Sequence, residues 1–280
     1  MKVTTIYDQG DATIVEDQVI FSLPFVGVAD GVSGLYLPDR GPRLFDGLSG
    51  GQMVVDALHS VAQRSYAKQS LEQIVIWANE RVRRAQHSAG VPLDRSDLLA
   101  GASFALAKIG DEEIEIIQAG DCFALWRMYG GEYQMTSNQV FLHDMETRGI
   151  IARLMQKHAG DKQKVWEEFG TTLSRMRRER VNKKVSKSYG LLNGQHTLKD
   201  CWQVFTLSRK DVARVMLFTD GLIYYPESGD GALAWKVLEL YQKGGLENIL
   251  LQTRMQEDLQ EGEIHIRHSE ATAVAVEFDN

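Results

Sequence analysis

Asp30-Gly31 follows the apolar run Phe25–Ala29, and Asp220-Gly221 follows the apolar run Val215–Thr219. Glu16-Asp17 stands just before a further apolar run at Val19–Phe21, and Asp121 follows Gly120 after a fourth. Hard divalent cations take several carboxylate oxygens that converge from different strands. A carboxylate at a strand end, with glycine beside it to admit close backbone approach, suits that chemistry. Each piece also has a plain structural reading. Asp-Gly between apolar runs is a strong hairpin signal, so Met216–Tyr225 fits a hairpin turned at Asp220-Gly221. Gly120-Asp121 can be read the same way.

The elements that position these acids follow from periodicity. Val19–Ala29 is apolar and β-branched, broken by Pro24, and predicts two short strands. Tyr36–Gly51 is loop-like, with Pro38, Pro42 and several glycines. Met53–Tyr66 and Leu71–Arg84 carry apolar residues at helical spacing and predict two adjacent amphipathic helices. Ala102–Ile109, Glu113–Ala119 and Cys122–Met128 predict an antiparallel meander of three strands. His143–Lys187 is polar and predicts helix. Val204–Leu207 and Val212–Thr219 predict strands, Ala232–Gln242 and Leu246–Gln260 helices, and Ala271–Phe278 a closing strand. Strand blocks and helix pairs are segregated, which indicates α+β with antiparallel sheets rather than a doubly wound parallel sheet.

Composition sets the bounds. The chain has 280 residues, 44% apolar and 25% charged, which excludes a disordered chain. Lys+Arg is 31 against Asp+Glu 38, a formal net charge of -7, which argues against a nucleic-acid partner. The two cysteines, Cys122 and Cys201, form no CxxC pair and predict a reducing compartment. The N-terminus shows no signal-peptide core, and no apolar run approaches the roughly 18 residues that cross a bilayer. The expectation is a cytoplasmic protein with no membrane partner.

The order of the short motifs adds more. Glu16-Asp17 is followed by Val28-Ala29-Asp30-Gly31-Val32-Ser33-Gly34, Gly101-Ala102-Ser103, Ala119-Gly120-Asp121, Leu192-Asn193-Gly194, Phe218-Thr219-Asp220-Gly221-Leu222 and Ala271-Thr272-Ala273-Val274-Ala275-Val276. This series resembles the metal-dependent protein phosphatases, the PPM or type 2C Ser/Thr phosphatases, in their bacterial form, over nearly the whole chain. The resemblance implies one domain over 1–280 with a four-layer αββα sandwich: two antiparallel β-sheets flanked by helix pairs. It implies a helical, basic, flap-like insertion at about 140–187. It also implies two Mg²⁺ or Mn²⁺ ions sharing a bridging carboxylate, and a bridging water that attacks the phosphorus of a phosphorylated protein, the substrate of a Ser/Thr kinase. Carried over by motif, Asp30 is the bridging ligand. The Gly31 carbonyl binds one metal and Asp220 the other. Glu16 acts partly through water, Asp17 supports the site, and Asp121 holds a third, weaker ion.

Two positions depart from the family pattern. Its arginine four residues before the Glu is Ala12 here, and its metal-binding Asp three residues before the Thr of the last strand is Ser269. Glu270 is the neighbour, but adjacent strand residues point to opposite faces. His268 is a softer ligand than Mg²⁺ prefers. The run Arg175–Lys187 reads first as a solvated helix face. Its functional reading is that Arg177 or Arg178 replaces the missing arginine at the phosphate.

Other motifs read as structure. Leu48-Ser-Gly-Gly-Gln52 spells an ABC-transporter signature, but no P-loop accompanies it, and a loop capping the following helix at Ser49 or Gly50 fits better. His265-x-x-His268 lacks partners for a metal site. Tyr224-Tyr225 and the tryptophans read as packing, and Ser103 lacks a nucleophile elbow. Three functions result: a metal-dependent Ser/Thr protein phosphatase, a pseudophosphatase binding module of the same fold, and a small-metabolite phosphatase.

Overall fold

The computed structural model describes residues 1–34, 43–65, 68–223, 230–259 and 268–279. Two five-stranded antiparallel sheets face each other. In chain order the strands are β1 (Lys2–Asp8), β2 (Asp17–Ser22), β3 (Phe25–Val32), β4 (Gly101–Ile109), β5 (Glu113–Ala119), β6 (Phe123–Met128), β7 (Tyr133–Met135), β8 (Gln203–Ser208), β9 (Val212–Phe218) and β10 (Ala271–Glu277). One sheet runs β2-β3-β4-β5-β8 and the other β1-β10-β9-β6-β7. The helices are α1 (Gly50–Arg64), α2 (Leu71–Ser88), α3 (Phe141–Lys157), α4 (Lys162–Arg180) and α5 (Asp230–Asp258), the last broken at Gly244-Gly245.

Residues alternate faces along a strand, and here both faces of the central strands are covered, so their sequences run almost continuously apolar. Val26, Val28, Ala105 and Ala107 pack between the sheets against Val215, Leu217, Val274 and Val276. Their neighbours Phe25, Ala29, Phe104 and Leu106 turn outward under α1 and α2. Met216, Phe218, Ala273 and Ala275 turn outward under α5. The layers are therefore α, β, β, α, as expected. Ser49 caps α1 in a reciprocal capping box with Gln52, so the Leu48–Gln52 motif is a helix start.

The expected three-strand meander is corrected. β4 and β5 pair as a hairpin, but β6 leaves that sheet and pairs with β9 and β7. The switch occurs at Gly120, whose φ of 81° and contact with Ser103 leave no room for a side chain. Gly120-Asp121 is thus a crossing between sheets. Asp220-Gly221 is also no hairpin: Asp220–Leu222 form a single 3-10 turn. The edge strands β1 and β7, which the periodicity missed, complete the second sheet. Tyr224-Tyr225, His265 and residues 35–42 of the expected loop lie outside the described residues.

The segment 140–187 is a helix pair up to Arg180; residues 181–187, expected as helix, form turns and bends instead. Ile151 and Leu154 of α3 pack on Val165 and Phe169 of α4. Ser96 donates to the Arg177 carbonyl (3.1 Å) and Ser174 donates to Asp97 (2.5 Å), which fasten α4 to the loop before β4. Among the described residues no helix is long and apolar enough to cross a membrane.

Candidate metal centre

Antiparallel pairing collects the acids at one end of the sandwich. Asp17 opens β2 directly opposite Asp30 near the end of β3, and Asp30 stands opposite Ser103 near the start of β4. Asp121 lies at the crossing after β5, and its amide donates to the Ser103 hydroxyl (3.4 Å). Asp220 leaves the end of β9. The Thr219 hydroxyl donates to Asp17 Oδ2 (2.7 Å), while the Thr272 amide donates to the Thr219 hydroxyl (3.0 Å). That chain ties β2 of one sheet to β9 and β10 of the other. Thr219 and Thr272 are legible in the motifs, but their role as a clasp is not.

The charges are crowded. Burial pushes the Asp17 carboxyl up to about 7 against the pull of the Thr219 bond, and Glu270 and Asp121 add to the rise. Asp30 is held well above the usual carboxylate range by burial and then by Asp17, Asp220, Asp121 and Glu270. Burial raises Asp121. Asp220 rises through the chain around it, then through Asp121, Asp17 and Asp144. The Asp220 residue is nevertheless exposed, so its rise falls short of that of a sealed carboxylate.

Asp30, Gly31 and Asp121 line a cavity of about 420 Å³ whose other walls include Asp144, Arg177 and Tyr189. Burial, followed by the charge of Asp121, pushes Asp144 up to about 7. No motif marks Asp144, which sits in the first turn of α3. Among the described residues no three His, Cys, Asp or Glu side chains stand close enough to enclose an ion by themselves. The donor set still fits hard dications. The acids converge on one end, like charges oppose their ionisation together, and a cation that keeps several waters needs only one or two carboxylates directly.

Glu16 is placed differently from the other acids. Its Oε1 accepts from the Ser33 hydroxyl (2.7 Å), the Ser49 hydroxyl and the Gly51 amide (3.1 Å). The carboxylate thus anchors the α1 N-terminus to β3, where a negative charge meets the helix dipole. Glu16→Ala is expected to destabilise the protein by about 2 kcal/mol through lost charge-assisted hydrogen bonds. Thermal unfolding in EDTA measures this without any metal contribution. A stability loss seen only with Mn²⁺ present would instead make Glu16 a metal-site group.

The two departures from the family pattern remain open positions. Ala12 lies in the turn after β1, hydrogen-bonded with Gln9, and brings no cation. A Cβ on Gly221 would lie 3.3 Å from the Ser269 Cβ, so Ser269 stands beside the Asp220 turn without a carboxylate. Glu270 does reach the acid end, because β10 begins only at Ala271. Its oxygens are taken by the amides of Glu16 (2.8 Å) and Asp17 (3.4 Å). His268 turns away to Asp258 (2.8 Å). Arg254, which sequence reasoning missed, fixes this approach by donating to the Ser269 carbonyl (2.6 Å) and to Asp8 (3.0 Å).

Of the basic run, Arg177 lines the cavity and Arg178 does not. Arg178 is exposed on another face of α4. Arg180 is engaged by Glu146 (3.0 Å), whereas the Arg177 guanidinium has no hydrogen bond or ion pair among the described residues.

By sequence, neither a family model nor a curated protein matches the chain. Solved structures do. The catalytic domain of the serine/threonine protein phosphatase PstP in complex with two manganese ions superposes with a TM-score of 0.57 at 15% identity, covering 99% of this chain and 97% of that one. The Mycobacterium tuberculosis phosphatase PstP/Ppp gives 0.59 at 13% identity, covering 100% and 99%. PppA, a regulatory component of the type VI secretion system in Pseudomonas aeruginosa, gives 0.57 at 15% identity, covering 99% and 97%. The fold is therefore that of the bacterial PPM-type Ser/Thr phosphatases, as the motif order implied.

Proposed function

We propose that the chain is a Mg²⁺- or Mn²⁺-dependent phosphatase of this type, hydrolysing phosphoserine or phosphothreonine in a protein substrate of a Ser/Thr kinase. The observation that carries the reading is the meeting of Asp30, Asp121 and Asp220 at one sandwich end, with the unpaired Arg177 across the cavity. Ions bound there supply charge neutralisation on a phosphoryl group and an acidified water. Asp30, the Gly31 carbonyl and Asp220 hold two of them, and Asp121 a third. Asp17 stays in place through Thr219, opposite Asp30 across the β2–β3 pair. Arg177 grips the phosphoryl oxygens in place of the arginine absent at Ala12, using its planar fork. The chain acts as one cytoplasmic domain in this reading, and 140–187 forms its substrate-facing wall.

Aryl-phosphate hydrolysis in EDTA, Mg²⁺ and Mn²⁺ tests the metal requirement; equal turnover in EDTA would sink the proposal. Arg177→Glu should raise KM for a phosphopeptide about tenfold or more, the loss of a charge-assisted contact, while Arg178→Glu leaves it near wild type. Equal effects of both substitutions would return the cluster to a solvated face. The competing reading is a binding module of the same fold. It is favoured by the single observation that neither Glu270 nor His268 directs a free donor to the Ser269 position. No turnover at millimolar Mn²⁺ in folded protein would select it.

A further inference from the structure

The cavity at the acids continues along the α3–α4 pair, and its character changes on the way. Asp144, Thr147 and Ile151 of α3 are spaced three and four residues apart, one helix face. Trp166, Phe169, Leu173 and Arg177 of α4 repeat that spacing, and all seven line the same cavity. α3 leaves the acids at Asp144, which feels the charge of Asp121, and α4 returns to them at Arg177. The near end is therefore charged and the far end is Ile151, Phe169 and Trp166. From Asp144 to Ile151 seven residues of α3 advance about 10 Å, and from Arg177 to Trp166 eleven residues of α4 advance about 16 Å, so the apolar end lies about 10 to 16 Å from the charged one. Trp166 is 43% exposed and rests edge-on against Phe169, ring centroids 5.6 Å apart. A large aromatic left open beside a cavity and braced by a buried ring is built for contact.

The leaving group of a small phosphate ester does not reach that end. An extended peptide, at about 3.3 Å per residue, reaches it in about three to five residues. We propose that the far end of this trough is a substrate subsite for a large apolar side chain about three to five residues from the phosphorylated one. The inference rests on the phosphatase reading for its ligand class, a phosphopeptide, and adds the sequence preference of that ligand. The cavity falls within the roughly 300–1,000 Å³ that encloses a whole small ligand, which leaves room for such a side chain besides the phosphoryl group.

The test uses fluorescent phosphothreonine peptides with Leu, Phe or Gly placed two, three, four or five residues to either side. Binding is read by anisotropy and turnover by phosphate release, both with Mn²⁺. Leu or Phe at one offset within about three to five residues should lower Kd about tenfold or more against Gly, the gain from burying such a side chain. Trp166→Ala should bring that ratio close to one, whereas Trp235→Ala, on α5 and 58% exposed, should retain it. A ratio near one in the wild type, or one that survives Trp166→Ala, overturns the subsite. Tighter competition by dodecyl phosphate than by any peptide also overturns it and makes the trough a site for apolar phosphomonoesters. Preference in binding without turnover keeps the subsite and removes the phosphatase reading.

Discussion

Asp30→Asn should abolish metal-dependent hydrolysis and at the same time stabilise the metal-free protein. The two effects have one cause. Asp30 sits among Asp17, Asp121, Asp220 and Glu270, so its charge is needed to hold dications and is unfavourable without them. Asparagine keeps the shape and removes the charge. Turnover should fall about a thousandfold or more, since charge neutralisation at a phosphoryl group contributes several kcal/mol. The stability effect has a definite pH dependence. Asp17, Asp30 and Asp220 all have folded pKa values above their unfolded values, so the fold favours their protonated forms. That contribution is fully present below about pH 4 and is lost as pH rises through the folded values, about 7 for Asp17. Metal-free wild type should therefore melt at a lower temperature at about pH 8 than at about pH 5, with Mn²⁺ reversing the loss. Asp30→Asn should flatten the profile. Calorimetry in EDTA at both pH values decides it: identical melting curves for wild type and variant at the higher pH would mean the acids are not opposed.

The acids were legible because strand ends can be read from strands. Phe25–Ala29 and Val215–Phe218 carry no polar side chain, since both of their faces are covered, and the residues that follow must emerge at a rim. Which rim they share was not legible from periodicity. Alternation fixes the face of a strand and says nothing of its partner, so β6 passed for the third strand of a meander although it belongs to the opposite sheet. Only the order of the motifs brought Asp121 to Asp30. Glu16 and Asp17, adjacent in sequence, divide between a helix anchor and the acid cluster because β2 begins only at Asp17, and Glu16 in the loop before it turns to Ser49 and Gly51. Asp144 carries no signal, being one polar residue on a polar helix. Arg177 could have been separated from Arg178, because Arg177 shares a helical phase with Trp166, Phe169 and Leu173 and Arg178 does not. What the phase could not supply is the cavity that makes that face matter.

The larger gain should come from filling the open position. Ser269→Asp is expected to tighten Mn²⁺ binding about tenfold or more. The Ser269 Cβ would lie only 3.3 Å from a Cβ on Gly221, so an aspartate there starts beside the Asp220 turn. Neighbouring groups do not compete for that role. Glu270 is engaged with the amides that open β2, and His268 with Asp258. The Arg254 bond to the Ser269 carbonyl holds the backbone that would present the new carboxylate. A further acid adds a ligand and deepens the repulsion, so the same substitution should lower the melting temperature in EDTA while raising it in Mn²⁺. This crossing separates a metal ligand from a general change in stability, which would move both curves the same way. Isothermal titration with Mn²⁺ gives the affinity directly. An unchanged Kd would show that Asp30, Asp121 and Asp220 already saturate the ions through water, and that the absent carboxylate leaves no gap.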